Sequence, residues 1–121
     1  KAIKLQPNYT EAYNNFGSAL HKLDKHEEAI ASFKKAIEIN FYFALGYNNI
    51  GLVLKKLNQN ELSIGFFIKA LTIQPNYADA YNNLGSVLSE LGRITEAIVS
   101  YGKAIALQPD YTKALVNLLC N

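Results

Sequence analysis

Apolar residues along the chain recur at three- and four-residue spacing and group into paired amphipathic segments. Tyr13, Phe16, Leu20 and Leu23 share one face of a helix predicted over 10–23. Ala29, Ile30, Phe33, Ala36, Ile37 and Ile39 fall on the apolar side of a second helix, predicted over 27–40. Asp24 separates the two, and Asn58 and Gly92 occupy its place further along the chain. All three residue types tolerate the left-handed conformation that often closes a helix, so each marks the turn of a helical hairpin. Glu27 and Glu28 in the first turn and Lys34 and Lys35 nearer the end of the second helix suit its dipole.

The hairpin repeats every 34 residues. Ala12-Tyr13-Asn14-Asn15-Phe16-Gly17 returns as Gly46-Tyr47-Asn48-Asn49-Ile50-Gly51 and as Ala80-Tyr81-Asn82-Asn83-Leu84-Gly85, with a fourth copy starting at Ala114. A period of this length describes one supersecondary unit stacked several times. The units run over 10–43, 44–77 and 78–111; residues 1–7 read as the end of a preceding second helix and 112–121 as the start of a fourth unit. Gln6-Pro7-Asn8-Tyr9 is expected to break the chain between helices, with Asn8 capping the next one. Gly17, Gly51 and Gly85 lie in mid-helix, where each costs about 1 kcal/mol relative to alanine. Small partners at Ala29, Ser63 and Ala97 are expected to account for them by close helix approach.

These positions resemble the tetratricopeptide repeat family. The aromatic Tyr13, Tyr47 and Tyr81, the following Phe16-Gly17, Ile50-Gly51 and Leu84-Gly85, the alanines Ala29 and Ala97, the aromatics Phe33, Phe67 and Tyr101, Ala36, Ala70 and Ala104, and Pro7, Pro75 and Pro109 recur in phase. Ser63, Phe41 and Leu119 depart from the pattern. The resemblance implies an all-α solenoid of stacked antiparallel helix pairs, about three and a half repeats, wound as a right-handed superhelix with first helices on its concave wall. Each unit then buries its apolar stripe against its neighbours. Ile3 and Leu5 at one end, and Leu115, Leu118 and Leu119 at the other, lack a polar cap, so copies are expected to associate end to end as a homo-oligomer.

Composition and charge narrow the function. Half of the residues are hydrophobic and 18% are charged, which excludes a disordered chain. A net charge of +2, with basic and acidic residues interleaved, gives no footprint for nucleic acid or a membrane. Cys120 is the single cysteine and fits a reducing compartment, hence a cytoplasmic location. His21 and His26, five apart, do not have the spacing that puts two metal ligands on one helical face and read as surface histidines. No enzyme motif, metal site or cofactor site is expected.

The asparagines carry the functional signal. Asn14, Asn15, Asn48, Asn49, Asn82, Asn83 and Asn117 lie inside first helices, although asparagine is a poor helix former. By family geometry Asn15, Asn49, Asn83 and Asn117 point into the concave groove as a ladder. A carboxamide offers one acceptor and two donors and so matches the backbone of an extended peptide. The array looks like that of the protein O-GlcNAc transferases, whose superhelix holds substrate polypeptides in this way. Duplication copying Tyr-Asn-Asn, with the carboxamides bonded inside the scaffold, is the other reading. Leu45 and Leu52 in the second unit add an apolar patch for one ligand side chain. Family members that clamp chaperone carboxylate tails place basic residues where this chain has Asn14 and Asp79, so that clamp is not expected. Phe41, Tyr42 and Phe66 form either a second apolar contact surface or a local repacking around the missing proline. The expected function is a non-catalytic scaffold for a protein or peptide partner. Its alternatives are the substrate-targeting module of a larger enzyme such as a glycosyltransferase, or a module that stacks on its own copies.

Overall fold

In the computed structural model residues 2–108 are described, with side chains from Tyr9 onward. Among them every regular element is a helix: α1 (Ala2–Lys22), α2 (His26–Ile39), α3 (Ala44–Lys56), α4 (Asn60–Ile73), α5 (Ala78–Glu90) and α6 (Ile94–Leu107). The fourth partial unit, with Leu115, Asn117, Leu118, Leu119 and Cys120, lies outside the described residues, as do the side chains of Ile3 and Leu5.

The helices end where the turn residues require. Asp24, Asn58 and Gly92 have φ of 62°, 63° and 80°. At each, the next residue's N–H reaches back across the turn: Lys25 to the Leu20 carbonyl, Gln59 to Leu54 and Arg93 to Leu88, all at 2.9 Å. This closure satisfies helix carbonyls that would otherwise lack a partner. One expected break is missing, because α1 runs without interruption through Gln6-Pro7-Asn8-Tyr9. Residues 2–5 are too few to nucleate a helix of their own, whereas extending α1 over them adds one backbone bond per residue. Proline removes one donor from that ladder and leaves the rest in place.

Consecutive helices pack as hairpins, α1 with α2, α3 with α4 and α5 with α6, and the hairpins stack through α2 on α3 and α4 on α5. The first helices also touch one another, α1 with α3 and α3 with α5, whereas the second helices do not. The stack is therefore tighter on the first-helix side, which makes α1, α3 and α5 its inner wall.

The core lies between units. Phe33 and Ala29 pack with Ile50, Val53 and Leu54 of the next unit, and Phe67 packs with Leu84, Val87 and Leu88 of the one after. The mid-helix glycines find their reason here, though not in the small residues expected. A Cβ at Gly17, Gly51 or Gly85 would fall 2.7, 2.6 or 2.7 Å from the ring of Phe33, Phe67 or Tyr101. The aromatic of the second helix lies flat against the first, and only glycine leaves room for it.

Candidate functional site

Helical periodicity places Leu45, Asn49, Leu52 and Lys56 along one face of α3, four, three and four residues apart. The matching face of α1 carries Glu11, Asn15, Ser18 and Lys22, and that of α5 carries Asp79, Asn83, Ser86 and Glu90. Side by side, these three stripes make the inner wall. Leu45 is 42% exposed, while Leu52 is half-buried and packs partly against the Phe67 and Leu84 cluster. The apolar patch is thus half exposed surface and half a joint between units.

The asparagines divide into two sets. Asn14, Asn48 and Asn82 are buried, retaining 6%, 4% and 5% of their accessible surface. They sit between units, with their side chains largely shielded from solvent. Asn15 is exposed, and Asn49 and Asn83 are half-buried. Asn49 donates through Nδ2 to Asn14 Oδ1 at 2.8 Å, and Asn83 donates likewise to Asn48 Oδ1 at 3.0 Å. Asn49 and Asn83 therefore each grip the first asparagine of the preceding unit. That bond uses one of the two amide hydrogens and not the donor's own Oδ1.

Polar groups along the edges are partly spent. Lys55 Nζ pairs with Glu90 Oε2 at 3.3 Å across two units. Burial and the nearby charge of Asp79 push the Tyr77 hydroxyl up to about 12, against a smaller opposite pull from its hydrogen bond with Asn48. His21 and His26 are half-buried rather than superficial, with ring centroids 5.4 Å apart. Burial first, then His26 and Lys56, hold the His21 imidazole below the usual histidine range, while Asp24 opposes them. Among the described residues no group of three or more His, Cys, Asp or Glu side chains is placed to hold a metal ion. No helix there is long and apolar enough to cross a membrane.

Phe41 and Tyr42 are 67% and 77% exposed and meet edge to face at the junction between units one and two. Phe66 instead stacks on Tyr47, with centroids 6.4 Å apart and planes inclined by 30°. Lys69 and Lys103 lie over the rings of Tyr47 and Tyr81, at 5.9 and 5.5 Å from the centroids. The sequence signal for these lysine contacts is the spacing, since a lysine follows the tyrosine by 22 residues in every unit.

Tetratricopeptide repeat profiles match residues 10–43 and 78–115, and a TPR repeat profile matches 51–92. The chain superposes on the first TPR of Spaghetti (RPAP3) bound to HSP90 peptide SRMEEVD with a TM-score of 0.89 and 20% identity, covering 93% of this chain and 90% of that one. The Arabidopsis OM64 TPR domain gives a TM-score of 0.88 at 24% identity, covering 95% of each chain. MamA gives 0.83 at 27% identity, covering 98% of this chain and 69% of that one. No curated protein matches the chain in sequence.

Proposed function

Because the chain belongs to the tetratricopeptide repeat family, we propose that it is a non-catalytic interaction scaffold holding an extended peptide segment against α1, α3 and α5. The observation that carries this reading is the second-asparagine series on the inner wall. Asn15 is exposed, and Asn49 and Asn83 each keep a carboxamide oxygen and one amide hydrogen beyond their bond to the preceding unit. Such groups at one position per unit meet backbone C=O and N–H groups with little regard for side chains. Leu45, exposed in the middle stripe, adds a contact for one apolar side chain. The first TPR of Spaghetti, similar in fold, is bound to an HSP90 peptide, which supports a peptide as the class of ligand.

The test is a random-peptide display library panned on the chain, with selected peptides measured against Leu45→Glu and Asn15→Ala variants. Both substitutions are on the surface and leave the core intact. Affinity is expected to fall about tenfold with Leu45→Glu, the effect of losing a central contact. Selected peptides that bind both variants as tightly as the parent would remove the groove.

A second reading, end-to-end stacking of copies, is supported by Phe16. It is 59% exposed, whereas Ile50 and Leu84 at its place in the later units are 0% and 8% exposed beneath the preceding hairpin. A second copy's helix pair could cover Phe16 as those hairpins cover Ile50 and Leu84. Sedimentation at rising concentration tests this: association that Phe16→Glu abolishes supports it, and a monomer throughout excludes it.

A further inference from the structure

Unit one has an opening lined by Tyr13, Glu28, Ala31, Ser32 and Lys35 among others, and unit two carries its counterpart with Leu62 and Phe66 in place of the glutamate and the serine. It lies between α3 and α4, has a volume of about 340 Å³, and is lined by Tyr47, Glu61, Leu62, Gly65, Phe66 and Lys69. Tyr47 is two residues from Asn49, about 200° around the helix, so the pocket faces away from the inner wall. Three neighbouring positions of the second helix change together here. Leu62 stands where units one and three have Glu28 and Glu96, Gly65 where they have Ala31 and Val99, and Phe66 where they have Ser32 and Ser100.

Each change has a visible effect. Ser32 donates to the Tyr13 carbonyl at 2.6 Å, whereas Phe66 lays a ring beside Tyr47. Leu62 is 56% exposed at the rim. A Cβ at Gly65 would meet nothing within 4 Å, so no internal packing requires glycine there. In mid-helix that glycine forgoes about 1 kcal/mol relative to alanine. What it provides is the open floor of the pocket.

The lysine beside the pocket differs in its pairing from its counterpart in unit one. In unit one Lys35 lies 3.9 Å from Glu38, but Thr72 and Ala106 replace that glutamate in the later units. Thr72 bonds its own helix instead, at the Ile68 carbonyl. Among the described residues neither Lys69 nor Lys103 has an ion pair. Each rests on a tyrosine face, which positions the ammonium without cancelling its charge. Glu61, at the other end of the pocket, contributes one carboxylate to its lining, while Arg93 pairs with Glu96.

We propose that the Tyr47–Leu62–Phe66 pocket and Lys69 form a second docking site, separate from the inner groove, for an acidic polypeptide segment that inserts one large apolar side chain. The apolar walls select a Leu, Ile or Phe side chain, and Lys69, with Lys103 one unit further on, selects carboxylates flanking it. The lysines are held in place before binding, so little side-chain freedom is lost on contact.

The test uses the same random-peptide library, panned on the chain carrying Leu45→Glu so that the inner groove contributes least. Selected peptides are expected to combine Asp or Glu with a Leu, Ile or Phe. Their affinity should fall about tenfold with Lys69→Glu and again with Gly65→Leu, which fills the floor from open space, and should weaken with added salt. Gly65→Leu is the variant that leaves the fold untouched, as a thermal melt would verify. Peptides lacking acidic residues, or binding unchanged by both substitutions, would overturn the site. Failure here leaves the groove variants' result standing, and the reverse also holds.

Discussion

The carboxamide of Asn49 donates to that of Asn14, thirty-five residues earlier, at 2.8 Å, and Asn83 repeats the bond to Asn48 at 3.0 Å. A pair of polar residues that is costly within each helix thus becomes a clasp between helices. The acceptor asparagine is buried, so the bond also satisfies a group that water cannot reach.

Removing the donor is therefore expected to cost more than removing an exposed asparagine. Asn49→Ala leaves Asn14 Oδ1 buried without its partner and should destabilise the fold by about 1–3 kcal/mol. Asn15→Ala, on an exposed helix face, should be neutral or gain up to about 0.7 kcal/mol. Urea unfolding of the two variants decides this, and equal midpoints would show that the clasp contributes nothing.

Two mid-helix glycines are expected to respond in opposite directions to the same substitution. Gly51→Ala drives a methyl to 2.6 Å from the Phe67 ring and should cost about 1–3 kcal/mol through forced repacking. Gly65→Ala enters open space and should gain up to about 1 kcal/mol. Paired thermal melts check the signs.

At the helix turns, Asp24 and Asn58 hold φ of 62° and 63°, where Gly92 does the same work in unit three. Asp24→Gly and Asn58→Gly should each stabilise by up to about 1 kcal/mol, since glycine meets no steric penalty in that region. A fall in the unfolding midpoint for both would contradict the argument.

Alkaline pH should weaken the fold through Tyr77. Its hydroxyl, pushed up to about 12, keeps its proton in the folded chain after the unfolded chain has lost its own near the ordinary value of 10.0. The unfolded state then binds fewer protons, so stability falls as pH rises between these values. Tyr77→Phe should flatten that slope, and unfolding midpoints measured across the alkaline range would reveal it.

Much of this architecture was legible in the residues themselves. The three- and four-residue apolar spacing and the turn residues Asp24, Asn58 and Gly92 act within a few residues of chain, so each unit announces its own hairpin. Register between units was legible too, because the 34-residue period copies the same face each time. Local rules failed at Pro7, where propagating one helix prevailed over ending it.

What only the tertiary structure decided depends on how finished hairpins meet. Nothing in Tyr-Asn-Asn says which carboxamide turns into the joint and which toward the wall; the stacking of α1, α3 and α5 sets that. Glycine spacing suggested close helices, but the Phe33, Phe67 and Tyr101 rings that occupy the space come from the facing helix. Leu62, Gly65 and Phe66 look like scattered changes along one helix until Tyr47 and Lys69 are brought beside them. The sequence by itself determined the helices and their repeat, since those arise from neighbours along the chain. The burial of one asparagine beside an available one, and the pocket on unit two, arise from contacts between residues that only the packed units bring together.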